Sequence, residues 1–117
     1  MINTIEQKVT SLELSKRLKE LGVKQESYFY YVDGDLWDKT AQSDYEMPST
    51  PSRDKWISAF LAEELGELLK KVDFNIWYSY PDWRLKLSDD IETRGRDESL
   101  TNAMAEMIIY LKKQNLI

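Results

Sequence analysis

The feature that most constrains the fold is an apolar stripe near the end of the chain. Leu100, Ala103, Met104, Met107, Ile108 and Leu111 recur at three- and four-residue intervals, which places them on one face of an α-helix. A stripe this continuous has to be covered by other elements. The segment is therefore predicted to be a helix that forms the spine of the fold, with Met107 and Ile108 almost fully buried. It should stop near Asn115, a residue that tolerates the left-handed conformation after a helix end.

Two further helices are expected. Over residues 11–21, Leu14, Leu18 and Leu21 hold helical spacing, Thr10 with Glu13 fits a capping box, and Gly22-Val23 fits a left-handed exit. Over residues 61–69, Leu61, Leu65, Leu68 and Leu69 form the apolar face, while Glu63, Glu64 and Glu67 lie mostly elsewhere. Gly66 inside this helix costs about 1 kcal/mol relative to Ala, so a close approach to another element is expected there.

Strands are expected at 28–32, closed by Asp33-Gly34 as a turn, and at 56–59. The runs 74–80 and 83–87 read as a hairpin around Pro81-Asp82, with Trp83, Leu85 and Leu87 on one side and Arg84 and Lys86 on the other. Phe29, Trp77 and Trp83 are expected in the core. Residues 35–54 carry no periodicity and read as one long loop. The expected class is α+β over a single domain, 1–117. Its sheet is antiparallel or mixed, of about four strands, with three helices packed on it.

Composition narrows the chemistry more than the fold. The chain has no cysteine and no histidine, which removes disulfides, thiolate nucleophiles, the usual zinc ligands and the usual general base near neutral pH. A non-enzyme without a cofactor or metal is therefore the leading expectation. Sixteen basic and 21 acidic residues give a net charge of −5 with the signs interspersed, which disfavours binding through phosphate neutralisation. No run approaches the roughly 18 apolar residues of a membrane span. The start, Met1-Ile2-Asn3-Thr4-Ile5-Glu6, lacks a signal peptide's basic flank and apolar run. A cytoplasmic location without membrane contact is expected.

Candidate chemistries were tested against the residues. Asp33-Gly34-Asp35-Leu36-Trp37-Asp38 groups carboxylates without EF-hand spacing and reads as a polar turn. Pro81-Asp82 is followed by no acid two residues before a lysine, so it does not open a metal-dependent nuclease motif. Glu63-Glu64-Leu65-Gly66-Glu67 is similar to the Glu-Glu-x-x-Glu helix of MazG-like nucleotide pyrophosphohydrolases, and that resemblance implies magnesium held around a pyrophosphate. The family's second acidic pair falls on Ala103 and Glu106, so one ligand is absent. A magnesium-dependent hydrolase using Glu63, Glu67 and Glu106 is thus the alternative reading.

Three blocks carry a broader resemblance: Ser11-Leu12-Glu13-Leu14-Ser15-Lys16-Arg17-Leu18-Lys19-Glu20-Leu21-Gly22, residues 57–69, and residues 103–117 ending in Asn115-Leu116-Ile117. Together they resemble a group of short bacterial and phage-encoded proteins with no assigned activity. The resemblance implies a bacterial or prophage setting and no particular reaction.

The leading reading is an accessory protein that binds another protein. Fourteen aromatics, including four Trp and seven Tyr, are residue types that interfaces favour. Trp37, Tyr45 and Met47 sit in the aperiodic stretch and are the candidate binding residues; the alternative for Trp37 is that it folds back over one end of the sheet. A homo-oligomer is compatible with this reading. A nucleic-acid accessory would need Arg84, Lys86, Arg94 and Arg96 to cluster beside exposed aromatics.

Overall fold

The structure, a computed structural model, describes residues 8–39 and 47–117. Its elements are α1 (Leu12–Glu20), β1 (Phe29–Val32), β2 (Asp35–Asp38), β3 (Ile57–Ala59), α2 (Ala62–Leu69), β4 (Phe74–Ser79), β5 (Asp82–Leu87), β6 (Gly95–Asp97) and α3 (Leu100–Lys113). The class is α+β with three helices. The six strands form two three-stranded antiparallel sheets, ordered β2-β1-β3 and β4-β5-β6. One sheet of about four strands is therefore corrected to two sheets. The strands missing from the sequence reading, β2 and β6, are short, charged and without alternation.

The apolar stripe of α3 is the spine. Met107, Ile108 and Leu111 are completely buried, and Leu14, Leu18, Leu65, Leu69 and Leu85 join them in the main core. The helix packs against α1 and α2 and against β5 and β6. Two of the helices end alike. After α1, Gly22 (φ 87°) precedes Val23, whose N–H bonds the Leu18 carbonyl; after α3, Asn115 (φ 58°) precedes Leu116, whose N–H bonds the Leu111 carbonyl. Both are Schellman closures, in which a left-handed residue lets the chain turn back and satisfy the last carbonyls.

At the start of α1 the cap is Ser11 and not Thr10: the Ser11 hydroxyl accepts from the Leu14 N–H. Thr10 is buried and serves a tertiary role, accepting from the Phe60 N–H at 3.0 Å and bonding the Ser15 hydroxyl at 2.6 Å. The glycine that allows a close approach is Gly95, not Gly66. A methyl group at Gly95 would lie 2.2 Å from the Ala103 carbonyl oxygen, whereas one at Gly66 would make ordinary contact with Met104. The spine helix thus sits directly on the backbone of β6.

In the first sheet, β1 is central and is covered on both faces. Tyr31 and Ala59 pack with Val9 on one side, while Tyr30 and Val32 pack with Met47 and Trp56 on the other. Burial on both faces explains why Tyr28-Phe29-Tyr30-Tyr31-Val32 shows no polar alternation. Among the described residues only one face of the second sheet is covered by other elements. Leu85 and Gly95 face α3, and the register puts Trp77, Arg84 and Arg96 together on the opposite face. Trp77, expected in the core, is half-buried on this outer face.

Candidate interaction surface

Two of the residues singled out in the sequence, Trp37 and Met47, pack within the first sheet. Trp37 stands opposite Tyr30 and lies partly buried against the cluster of Tyr30, Val32, Met47 and Trp56. Met47 is buried. Tyr45 lies outside the described residues. The returning chain is held by Lys19, whose Nζ donates to the carbonyls of Asp54 (2.7 Å) and Trp56 (2.8 Å), and by the Trp56 indole N–H bonded to the Pro51 carbonyl at 3.1 Å. The Arg53 guanidinium sits 5.5 Å from the Trp56 ring centroid, a cation–π contact closing the outside.

The three glutamates of the hydrolase reading have separate employments. Glu63 and Glu67 are exposed on α2, and Glu67 pairs with Lys70 at 2.8 Å. Glu106, on α3, accepts the Arg96 backbone N–H at 3.0 Å. Partial burial raises its carboxyl above the usual range. Glu64 is raised by burial as well and reaches back to the Leu61 N–H at 2.9 Å. Leu61 has no side-chain acceptor, so only this reverse half of a capping box is made. Among the described residues no group of three acidic side chains is placed to hold a metal ion.

The four cations of the nucleic-acid reading do not form a free basic patch. The Arg94 Nε meets Asp90 at 2.7 Å and its guanidinium stacks 4.4 Å from the Tyr110 ring. Arg96 pairs with Asp82 at 2.7 Å, and the Lys86 ammonium donates to the Asp90 carbonyl. Arg84 stands between Trp77 and Arg96 on the outer face, its Nε shielded from solvent. An open cleft of about 650 Å³ lies where α2 and α3 begin, but Glu63 and Glu98 already bring negative charge to it.

A different surface is offered by the β4–β5 hairpin. Ser79 pairs with Asp82 across a two-residue turn, Tyr80-Pro81, whose peptide bond is cis. The Ser88 N–H bonds the Asp73 carbonyl, so by antiparallel alternation Asn75, Trp77 and Ser79 exchange bonds with β5. The backbone groups of Phe74, Ile76 and Tyr78 then point away from the sheet. The side chains of these same three residues lie on the α3 side, opposite Leu87, Leu85 and Trp83. Because α3 rests on β5 and β6, β4 overhangs it. Ile76 is 43% exposed, Tyr78 51% and Tyr80 86%. The aromatic count hinted at such a surface, but only the position of α3 decides which aromatics are left outside.

Comparison with protein-family models, with curated proteins and with solved structures returned no match.

Proposed function

We propose that this chain is a non-catalytic accessory protein that works by binding another protein chain, and that β4 and the tip of its hairpin make the contact. The observation that carries this reading is the uncharged strand Phe74–Ser79, whose outer edge is open and whose Ile76 and Tyr78, with the neighbouring Tyr80, are exposed. Apolar and aromatic side chains beside unpaired backbone groups suit recognition by strand addition, where the main chain gives affinity and the side chains give selectivity. On this reading the contact is made by β4, while Trp37 and Met47 pack within the first sheet. A bacterial or prophage setting remains part of the proposal and rests on the sequence resemblance.

The test is binding of the purified chain to its physiological partner, measured with wild type and with a Tyr78→Ser, Tyr80→Ser variant. The variant should keep its thermal midpoint within a few degrees and lose binding. Undiminished binding would place the contact elsewhere. Magnesium or manganese should leave the midpoint unmoved, because a ligand of the native state stabilises it by mass action. A metal-dependent rise abolished by Glu63→Gln would favour the hydrolase instead.

A further inference from the structure

The described sheet edges are treated unequally. The outer edge of β3 is closed by side chains: the Ser58 N–H donates to Gln25 Oε1 at 2.8 Å, and the Phe60 N–H just beyond donates to Thr10 Oγ1. The outer edge of β6 is closed by Glu106, which takes the Arg96 N–H. β2 is four residues long with Asp35 and Asp38 at its ends. These are the devices by which proteins prevent unwanted strand pairing: short edges, charges and covering groups. β4 has none of them. It runs six residues without a charge, and among the described residues nothing pairs with its outer edge.

Resting on the reading above, we infer that the partner at β4 is a second copy of this chain, paired antiparallel about a two-fold axis through Ile76. The outward backbone groups belong to Phe74, Ile76 and Tyr78, which are symmetric about Ile76. An axis there sets Ile76 against Ile76 of the second copy and Phe74 against Tyr78 of the second copy, so that each facing pair exchanges both its N–H and its C=O. The axis is perpendicular to the sheet, which keeps both α3 helices on one side of a continuous sheet. The exposed Ile76 then faces Ile76 of the second copy, and Tyr78 faces its Phe74. No like charges are juxtaposed: Asp73 falls opposite Ser79 of the second copy. Strand, hydrogen-bond pattern and side chains are all complementary to themselves.

Sedimentation equilibrium from low micromolar to near-millimolar concentration tests this. Wild type should approach twice the chain mass. Ile76→Lys should be monomeric, because the axis sets each lysine against its own copy, and Ile76→Glu should be monomeric for the same reason. An equimolar mixture of these two variants should regain a dimer of one chain of each kind, which a general loss of folding cannot produce. Circular dichroism of each variant verifies the fold. A wild type monomeric throughout the range overturns the second-copy inference, and so does a dimer unaffected by Ile76→Lys. If the wild type is monomeric yet binds its physiological partner in a way that Tyr78→Ser, Tyr80→Ser abolishes, the interaction reading stands with a different occupant.

Discussion

The two sheets are alike in size and opposite in finish. Both have three antiparallel strands and both lay one face on the helices. The first sheet is also covered on its outer face, where the chain returns with Met47 and Trp56 to pack on Tyr30 and Val32. Among the described residues, the second leaves its outer face to Trp77, Arg84, Arg96 and their neighbours and leaves β4 open at the edge. Apolar burial follows the cover that is present and not the composition of the strand. A tryptophan beneath a covering segment buries its whole side chain, and one on an uncovered face stabilises less for the same side chain.

Two tryptophans on the outer faces make the largest contrast. Trp56→Ala should cost about 3–5 kcal/mol, the range for removing a buried aromatic. Trp77→Ala should cost about 1–2 kcal/mol less than that, because part of its side chain already meets water. Urea unfolding of both variants measures the difference, and equal losses would mean that the second sheet is covered after all. Next in size is Gly95→Ala. The added methyl would collide with the Ala103 carbonyl, backbone that cannot rotate away, and the cost of overpacking should reach about 3 kcal/mol. The same unfolding experiment checks it, and a neutral result would show that α3 can lift from β6 freely.

Edge protection is tested by Gln25→Leu. It strips the acceptor from the buried Ser58 N–H and should cost about 1–3 kcal/mol, the penalty for leaving a buried donor unpaired. If the loss is negligible, Gln25 is not what closes the first sheet.

The smallest expected effect lies on the second sheet's closed edge. The Glu106 carboxyl is raised above its ordinary 4.5, chiefly by burial and against the pull of the Arg96 N–H; Asp97 and Asp82 add to the rise and Arg17 opposes it. The folded state therefore holds this proton more tightly than the unfolded state. Its contribution is fully present below pH 4.5 and is lost as the pH rises through the folded-state value. Glu106→Gln keeps an acceptor for the Arg96 N–H and should flatten that part of the stability profile while slightly raising stability at neutral pH. Unfolding stabilities should run parallel to wild type at low pH, separate across that window and stay separated up to neutral pH.

Legibility in the sequence followed how local the cause was. All three helices were readable because periodicity and left-handed exits depend on residues a few positions apart: Leu14-Leu18, Leu65-Leu69 and Met104-Ile108 along the faces, and Gly22 and Asn115 at the ends. The β4–β5 hairpin was readable from the alternation of Trp83, Leu85 and Leu87. β2 and β6 were not, since Asp35-Leu36-Trp37-Asp38 and Gly95-Arg96-Asp97 are strands only because β1 and β5 offer them an edge. Thr10 shows the same limit: its spacing to Glu13 satisfied a local rule, yet its hydroxyl is taken by Phe60, fifty positions away.

The sequence by itself therefore determined the spine, the helix exits at Gly22 and Asn115 and the absence of histidine and cysteine chemistry. Each of these is a property of residue type or of short-range spacing. Tertiary structure alone decided which aromatics are buried and which edge stays open. Exposure of Ile76 and Tyr78 depends on α3 lying over β5 and β6 instead of β4. That placement is set by Gly95, whose missing side chain lets the helix descend onto β6. No local pattern in Phe74–Ser79 records it, because the cause lies sixteen to twenty-one residues further along the chain.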